Sequence, residues 1–441
     1  MPVNHLSKRT ELFQWFGRAT GRPDAELILF CLPYSGGGAS LFHNWSRALP
    51  GAVDVAAVRL PGREGRIAEP HSLSPNAIAR AIAARADRPY AIYGHSLGAR
   101  LGFEVIRELR RIETAQPVLF YAAASRPPDS RDPLAHSVEL PDDEFLSVLI
   151  DRISAPTELR DEPELRELLL PVLRADFEWI NRYEYQPEPA LDVPLVALAG
   201  AADPVSGPLS MLRWSRHTTA AFRLHTLAGG HFFLRTAADH LINLLVEGLD
   251  LANIAAPGRA HRPPSRGEAH IWLARLDELP AFCTALSELS PDEVRCAAQL
   301  HDVQDRRRYI GKCVASRRIL RAYDVSASVI PPDGADGRSE VHSPAGLRMD
   351  LSQSGGLLLV GITTEGAIGV DLELFQAGSP AAELRARTEA RAARKAAHSD
   401  RGAAGSTTYQ VTHLPMDSAI GAVALAGSFV GRFEIVTEAT L

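Results

Sequence analysis

Residues 90–111 read YAIYGHSLGARLGFEVIRELRR. The first four form a short apolar run, the last fifteen form a helical pattern, and Gly94-His95-Ser96-Leu97-Gly98 spans the junction, its last two residues opening the helical pattern. A strand that turns sharply into a helix, with a serine at the corner, is the arrangement that G-x-S-x-G describes. The glycines have a mechanical reason. If Ser96 sits on a strained turn, a side chain at either glycine would collide with the neighbouring strand or helix. The stretch therefore predicts a nucleophile at Ser96, against the alternative of a serine that merely occupies a turn.

Working outward, residues 27–33 (LILFCLP), 53–60 (VDVAAVRL), 117–123 (PVLFYAA) and 193–199 (VPLVALA) are further short apolar runs bounded by turn residues. Such runs suit strands buried on both faces. Helical patterns at 75–87 and 97–111 are long enough for crossovers, so a doubly wound α/β domain is expected. Residues 141–185 break the alternation. Leu165, Leu168, Leu169, Val172, Leu173, Phe177 and Ile180 recur at i, i+3, i+4 spacing, which predicts a helical insertion with one apolar face. It packs on the sheet or lids a pocket for something long or greasy.

An active serine needs a base and an orienting acid, in chain order Ser, Asp or Glu, His for this architecture. Asp203 closes VPLVALAGAADP, in the loop after a predicted strand, and His231 follows in LAGGHFFL after another strand-like stretch, AAFRLHTL. His240 is the nearest rival base, but it falls in a helical pattern. The oxyanion requires backbone donors: the N–H of Leu97, and one from Pro33-Tyr-Ser-Gly-Gly-Gly-Ala39, where Ser35 is preferred and Gly36 is the alternative.

The bulk numbers exclude other classes. At 441 residues two domains are the default, and 46% hydrophobic with 23% charged residues is ordinary for a globular protein. No apolar run approaches the length of a membrane span, and the N-terminal stretch carries no signal-like apolar core, so a cytoplasmic location is expected. Cys31, Cys283, Cys296 and Cys313 form no C-x-x-C pair, which argues against a disulfide framework or a zinc site. A net charge of −6 gives no basic field for nucleic acid.

LPYSGGGASLF (32–42), VRLPGREGR (58–66), YGHSLGARLGFEV (93–105), LAGAADP (198–204) and GGHFFL (229–234) together resemble the type II, editing thioesterases of polyketide and nonribosomal peptide synthesis. The resemblance spans about residues 12–250. It implies an α/β-hydrolase fold with a lid over about 128–190, Ser96-His231-Asp203 chemistry without a cofactor, and acyl or peptidyl carrier proteins as partners. Where the family has proline-histidine-alanine-glycine-glycine, this chain has Tyr34 and Ser35.

At 254–267 (IAAPGRAHRPPSRG) the pattern becomes that of a linker, dividing a domain over 1–253 from a smaller α+β domain over 268–441. In the latter, strand-like runs are expected at 269–273, 357–362 and 367–372, and a helix from Pro291 to about Tyr323. Residues 377–406 read as a weakly packed helix or mobile segment. Asp371 and Glu373, at i and i+2 on a strand, point to one face and could reach one hard cation, or stand as two exposed carboxylates at a strand edge.

RRRYIGKCVASRRILRAY (306–323), LRMDLSQSGGLLLVGI (347–362) and AIGVDLE (367–373) resemble broad-specificity phosphopantetheinyl transferases over about 268–434. The resemblance implies magnesium on Asp371 and Glu373, and coenzyme A phosphates near Arg308, Arg317 and Arg318. The departures are large. Gln353 stands where the family has a histidine, and Thr388-Glu389-Ala390 is the nearest remnant of its acid-and-lysine helix. The expected function is hydrolysis of carrier-bound acyl thioesters beside a degenerate transferase-like domain. The alternatives are a bifunctional enzyme, an esterase of free small molecules, and a non-catalytic carrier-docking module.

Overall fold

A computed structural model of the chain describes residues 13–16, 22, 24–253, 263–264, 268–323, 341–342, 347–364, 367–374, 381–399, 409–415, 419–426 and 430–436. Most of the proposed linker at 254–267 lies outside them. The chain divides into two compact units, 1–255 and 256–441, each described by itself.

In the first unit, strands β1 (Leu27–Leu32), β2 (Val53–Ala57), β3 (Tyr90–His95), β4 (Leu119–Ala123), β5 (Leu195–Gly200) and β6 (Phe222–Leu227) form a parallel sheet in the order β2-β1-β3-β4-β5-β6. β1, β3, β4 and β5 are buried along their whole length, which is why they read as unbroken apolar runs. Helix α1 (Pro75–Arg85) is capped by Ser74, whose side chain accepts the Ala77 N–H. Helix α2 (Leu97–Arg111) packs so closely on the sheet that a Cβ at Gly102 would touch Phe120 and Ile92. The opposite face carries Leu29, Tyr93, Tyr121 and Leu198. It is covered by Leu241, Leu244, Leu245 and Leu249 of a C-terminal helix, Ala238–Asn253.

The insertion consists of three helices: α3 (Asp142–Ile153), α4 (Glu158–Asp161) and α5 (Pro163–Arg182). Ser154, in the left-handed region at φ 56°, ends α3, and Pro163 opens α5. The single apolar face expected for this stretch holds over Val172, Leu173, Phe177 and Ile180, which are buried, but fails at Leu168, which is 50% exposed on the N-terminal half of α5.

The second unit holds strands β7 (Glu268–Arg275), β8 (Val341–His342), β9 (Arg348–Ser354), β10 (Leu357–Thr363), β11 (Ile368–Leu374), β12 (Tyr409–Pro415), β13 (Ala419–Ala426) and β14 (Val430–Val436). One sheet runs β14-β7-β10-β9-β8, antiparallel except for β14 on β7, and a second, antiparallel sheet runs β11-β13-β12. The helix expected from Pro291 to Tyr323 is instead two, Pro291–Gln299 and Val303–Arg321. The second restarts on Asp302, whose side chain accepts the Asp305 N–H.

The 377–406 stretch contains the helix Ala381–Ser399, and it is not weakly packed: Leu384, Thr388, Ala392 and Ala396 are fully buried. A Cβ at Gly369 of β11 would come within 2.1 Å of the Ala392 carbonyl oxygen. Small side chains let this helix lie directly on its strand, so the packing depends on close approach rather than on bulk.

Candidate active site

The turn between β3 and α2 places Ser96 at φ 54°, ψ −116°, a conformation that costs a non-glycine residue free energy. Its N–H donates to the Ala123 carbonyl at 2.8 Å, which ties the turn to the end of β4. A Cβ at Gly94 would lie 2.1 Å from the Gly98 oxygen, and one at Gly98 would lie 2.3 Å from the Leu32 oxygen. Both glycines meet backbone, which cannot rotate away. Gly98→Ala is therefore expected to cost about 3 kcal/mol or more, the upper end of overpacking, read as a lower urea midpoint in equilibrium unfolding.

His231 and Asp203 converge on this corner from the loops after β6 and β5. Asp203 accepts through Oδ2 from His231 Nδ1 at 2.8 Å, and His231 Nε2 accepts from the Ser96 hydroxyl at 3.0 Å. Asp203 Oδ1 accepts the N–H groups of Val205 (2.9 Å) and Ser206 (3.0 Å). Burial pushes the Asp203 carboxyl up, but the His231 hydrogen bond and charge and the two backbone donors outweigh it, leaving the group below the usual carboxylate range. It thus remains an anion whose only free role is to hold His231 in the Nδ1–H form. His240, the rival base, lies on the Ala238–Asn253 helix; the nitrogen that meets Ser96 is that of His231.

Sequence reasoning passed over His95, the variable residue of the motif. It is fully buried, its Nε2–H donates to the His231 carbonyl at 2.8 Å, and its Nδ1 accepts from the Tyr93 hydroxyl at 3.0 Å. Burial, reinforced by the nearby His231, pushes it down to about 3, so it stays neutral and pins the loop that carries the base. The signal was the pair Tyr93 and His95, two residues apart on one strand face.

Of the two candidate donors in the 33–39 loop, the Gly36 N–H is given to the Asp176 carboxylate at 2.8 Å. The Ser35 and Leu97 N–H groups are given to no protein group among the described residues, and Leu97 opens α2. A pocket leads away from Ser96 and His231, lined by Leu149, Leu173, Phe177 and Ile180 of the inserted helices together with Val205 and Phe232. Hydroxyl, imidazole and carboxylate in line at one end of an apolar chamber can carry out nucleophilic acyl transfer.

The candidate residues of the second unit are engaged differently. Asp371 and Glu373 do face one side of β11, but Arg391 donates through Nε to Asp371 Oδ2 at 2.8 Å and through Nη2 to Glu373, while Arg387 donates to Glu373 Oε1 at 2.8 Å. Where the sequence offers a pair of carboxylates to magnesium, guanidinium groups are seated, because Arg391 and Arg387 project from the helix that lies on this strand. Both carboxylates are thus taken by guanidinium groups, and among the described residues no group of three or more His, Cys, Asp or Glu side chains is placed to hold a metal.

The expected phosphate arginines also meet carboxylates. Arg308 meets Asp277 (2.6 Å), Arg318 meets Glu288 (2.6 Å), and Arg317, buried, meets Glu293. In the Ser352-Gln353-Ser354 stretch the two serines accept the Leu372 and Leu374 N–H groups, and Asp350 accepts that of Val370, so alternate residues of β9 serve the free edge of β11. Gln353 instead donates to the Gly355 carbonyl.

Burial pushes the Asp350 carboxyl up to about 6 despite Lys395 beside it. In the unfolded chain the carboxyl titrates near 4, so between about pH 4 and 6 the folded state holds the extra proton. Stability is therefore expected to fall as pH rises through that window, by up to about 1.4 kcal/mol per unit. The Asp350→Asn chain, having no carboxyl there, should show a flatter pH dependence in urea unfolding.

Among the described residues no helix is long and apolar enough to cross a membrane. The family model described as "Thioesterase domain" matches residues 27–247. The chain is 37% identical over 229 residues to the protein named linear gramicidin dehydrogenase LgrE of Brevibacillus parabrevis, a match covering 50% of this chain and 87% of that one. It is 35% identical over 270 residues to thioesterase PikA5 of Streptomyces venezuelae, covering 58% and 94%. Among solved structures, RedJ, the thioesterase of the prodiginine pathway in Streptomyces coelicolor, matches at 33% identity and a TM-score of 0.48, covering 54% of this chain and 98% of that one. With the matched segment spanning the whole six-stranded sheet and the Ser96, Asp203 and His231 loops, the chain belongs to the thioesterase family of serine hydrolases.

Proposed function

We propose that the first unit hydrolyses acyl thioesters carried on the phosphopantetheine arm of acyl or peptidyl carrier proteins, clearing misprimed or stalled units from a polyketide or nonribosomal peptide assembly line. The observation that carries this reading is the Ser96-His231-Asp203 line at the end of an apolar chamber. The pathway named for its relatives, gramicidin synthesis, supports the carrier-bound substrate.

His231 takes the Ser96 proton as Oγ attacks the thioester carbonyl. The Ser35 and Leu97 N–H groups receive the oxyanion, and His231 returns the proton to the departing thiol. The same imidazole then takes a proton from water, which attacks the acyl-serine and restores the hydroxyl. Asp203 keeps the imidazole in the form that can accept at Nε2.

Mass spectrometry of an acyl-loaded carrier protein incubated with the full chain tests this. Loss of the acyl mass, faster than hydrolysis of a free small ester of the same acid, is the expected result. Fast turnover of the free ester with an untouched carrier would make the protein a small-molecule esterase, and binding without any release would make it a docking module.

For residues 268–441 we propose a transferase-like domain that transfers nothing. Arg391 and Arg387 on Asp371 and Glu373, and carboxylate partners on Arg308, Arg317 and Arg318, support that reading over a bifunctional enzyme. With an apo carrier, coenzyme A and magnesium, the carrier mass is expected to stay unchanged; a phosphopantetheine gain would overturn the proposal.

A further inference from the structure

The loop that supplies the Ser35 N–H is held by a buried charged pair that has no part in proton transfer. Asp176 lies on the inward side of α5, between Leu173 and Phe177, with its side chain fully buried and that of Arg63 5% exposed. Three donors converge on its two oxygens. Arg63 Nη2 meets Oδ1 at 2.6 Å, and Arg63 Nη1 and the Gly36 N–H each meet Oδ2 at 2.8 Å. Arg63 Nη1 also reaches the Gly37 carbonyl at 3.1 Å. Guanidinium and carboxylate therefore grip the two glycines by an N–H at one end and a C=O at the other.

The same helix presses on the loop through an apolar contact. Gly36 sits at φ 77°, and a Cβ there would lie 2.7 Å from Leu173 Cδ2. On the far side Glu64, next to Arg63, accepts the N–H groups of Ala39 (2.9 Å) and Ser40 (3.0 Å). A carboxylate removed from water is costly unless each oxygen is met by good donors, and here a guanidinium fork and a backbone N–H meet it. Pointing the Gly36 N–H at α5 fixes the plane of the peptide that follows Ser35. The Ser35 N–H belongs to the preceding peptide and is joined to that plane through the φ and ψ of Ser35, so holding the Gly36 side narrows the orientations open to this donor, and Ser35 itself lines the chamber.

We infer that Asp176, held by Arg63, is a positioning residue for acyl transfer: it takes the Gly36 N–H and thereby orients the Ser35 N–H toward the oxyanion, so the donor is in place only while α5 is seated. This rests on the hydrolase reading of Ser96. An inserted helix that only walled the chamber would affect which acyl groups bind. A helix that also holds the donor loop affects the chemical step once they are bound.

The test is steady-state hydrolysis of an acyl-pantetheine thioester by the full chain, comparing wild type with Asp176→Ala, Asp176→Asn, Ser96→Ala and the double variant Arg63→Met/Asp176→Leu. The double variant removes both charges together and keeps the volume, so a failure of Asp176→Ala to fold, from stranding Arg63, leaves the question answerable. Where the carboxylate is lost, kcat is expected to fall roughly 10- to 100-fold, as for a displaced oxyanion donor, with KM within about threefold of wild type. Asp176→Asn keeps an acceptor for Gly36 and should recover part of that loss, and the pH dependence of kcat should keep its shape because His231 is untouched. A folded double variant with wild-type kcat, or a loss confined to KM, overturns the inference. If Ser96→Ala matches wild type, the hydrolase reading itself fails. If it is inactive while the Asp176 variants keep wild-type kcat, only the positioning role fails.

Discussion

Ser96→Ala is expected to lower kcat for a carrier-bound or pantetheine thioester by at least about 10⁴-fold while leaving KM little changed. The substitution deletes the atom to which the acyl group must transfer and disturbs little else. The Ser96 N–H still donates to Ala123, the turn keeps the φ of 54° that a non-glycine residue already holds there, and the chamber walls come from other segments. Melting should therefore stay within about 1 kcal/mol of wild type. What survives is a pocket, two backbone donors and a histidine able to activate water only from a position suited to the serine. That accounts for a small residual rate. Single-turnover mass spectrometry is the decisive measurement, because wild type should show a transient mass gain on the peptide containing Ser96 and the variant none. Equal rates from the two proteins would remove Ser96 from the mechanism.

The elbow was legible in the sequence because everything it needs is local: a buried strand, two glycines and a helix within 22 consecutive residues. Asp203 and His231 were legible for a related reason. A parallel sheet delivers its loops to one end of the strands, so a polar residue just after an apolar run already has an address. The Arg63–Asp176 pair has no such address, since its partners lie 113 residues apart and meet only through the packing of α5. One trace was present: within the apolar repeat Val172, Leu173, Phe177, Ile180, Asp176 falls on the buried side of the helix. A carboxylate at such a position requires a partner, though periodicity does not say which.

The second unit shows the reverse failure. Of its strands only β7, β10 and β11 were readable, as short apolar runs, while β9, β12 and β14 mix polar residues into theirs. The helix on β11 is buried through Thr388, Ala392 and Ala396 as much as through Leu384. A search for bulky residues ranks such a helix as loose, although small residues are what allow its backbone to approach Gly369. The same closeness brings Arg391 onto Asp371 and Glu373, so two carboxylates on one strand face do not by themselves indicate a metal site. Alternate spacing shows that two groups face one way. It does not show what a neighbouring helix brings to meet them.

Asp203→Asn is expected to reduce kcat by about 10³- to 10⁴-fold, nearly as much as loss of the nucleophile, although the change is one atom and the volume is conserved. The reason lies in how the carboxylate is held. Val205 and Ser206 both donate to Oδ1 and require an acceptor there, so an asparagine must place its carbonyl oxygen at that position and its NH₂ toward His231. The NH₂ can only donate, and it therefore forces His231 Nδ1 to accept and moves the ring proton to Nε2. An Nε2–H cannot take the proton of Ser96, so the base is present, correctly placed and in the wrong tautomer. The His95 hydrogen bond to the His231 carbonyl does not depend on Asp203, so the ring should remain within reach of Ser96. The expected signature is a large fall in kcat with KM and melting close to wild type. A variant retaining more than about a tenth of wild-type kcat would mean that Asp203 does not orient the base.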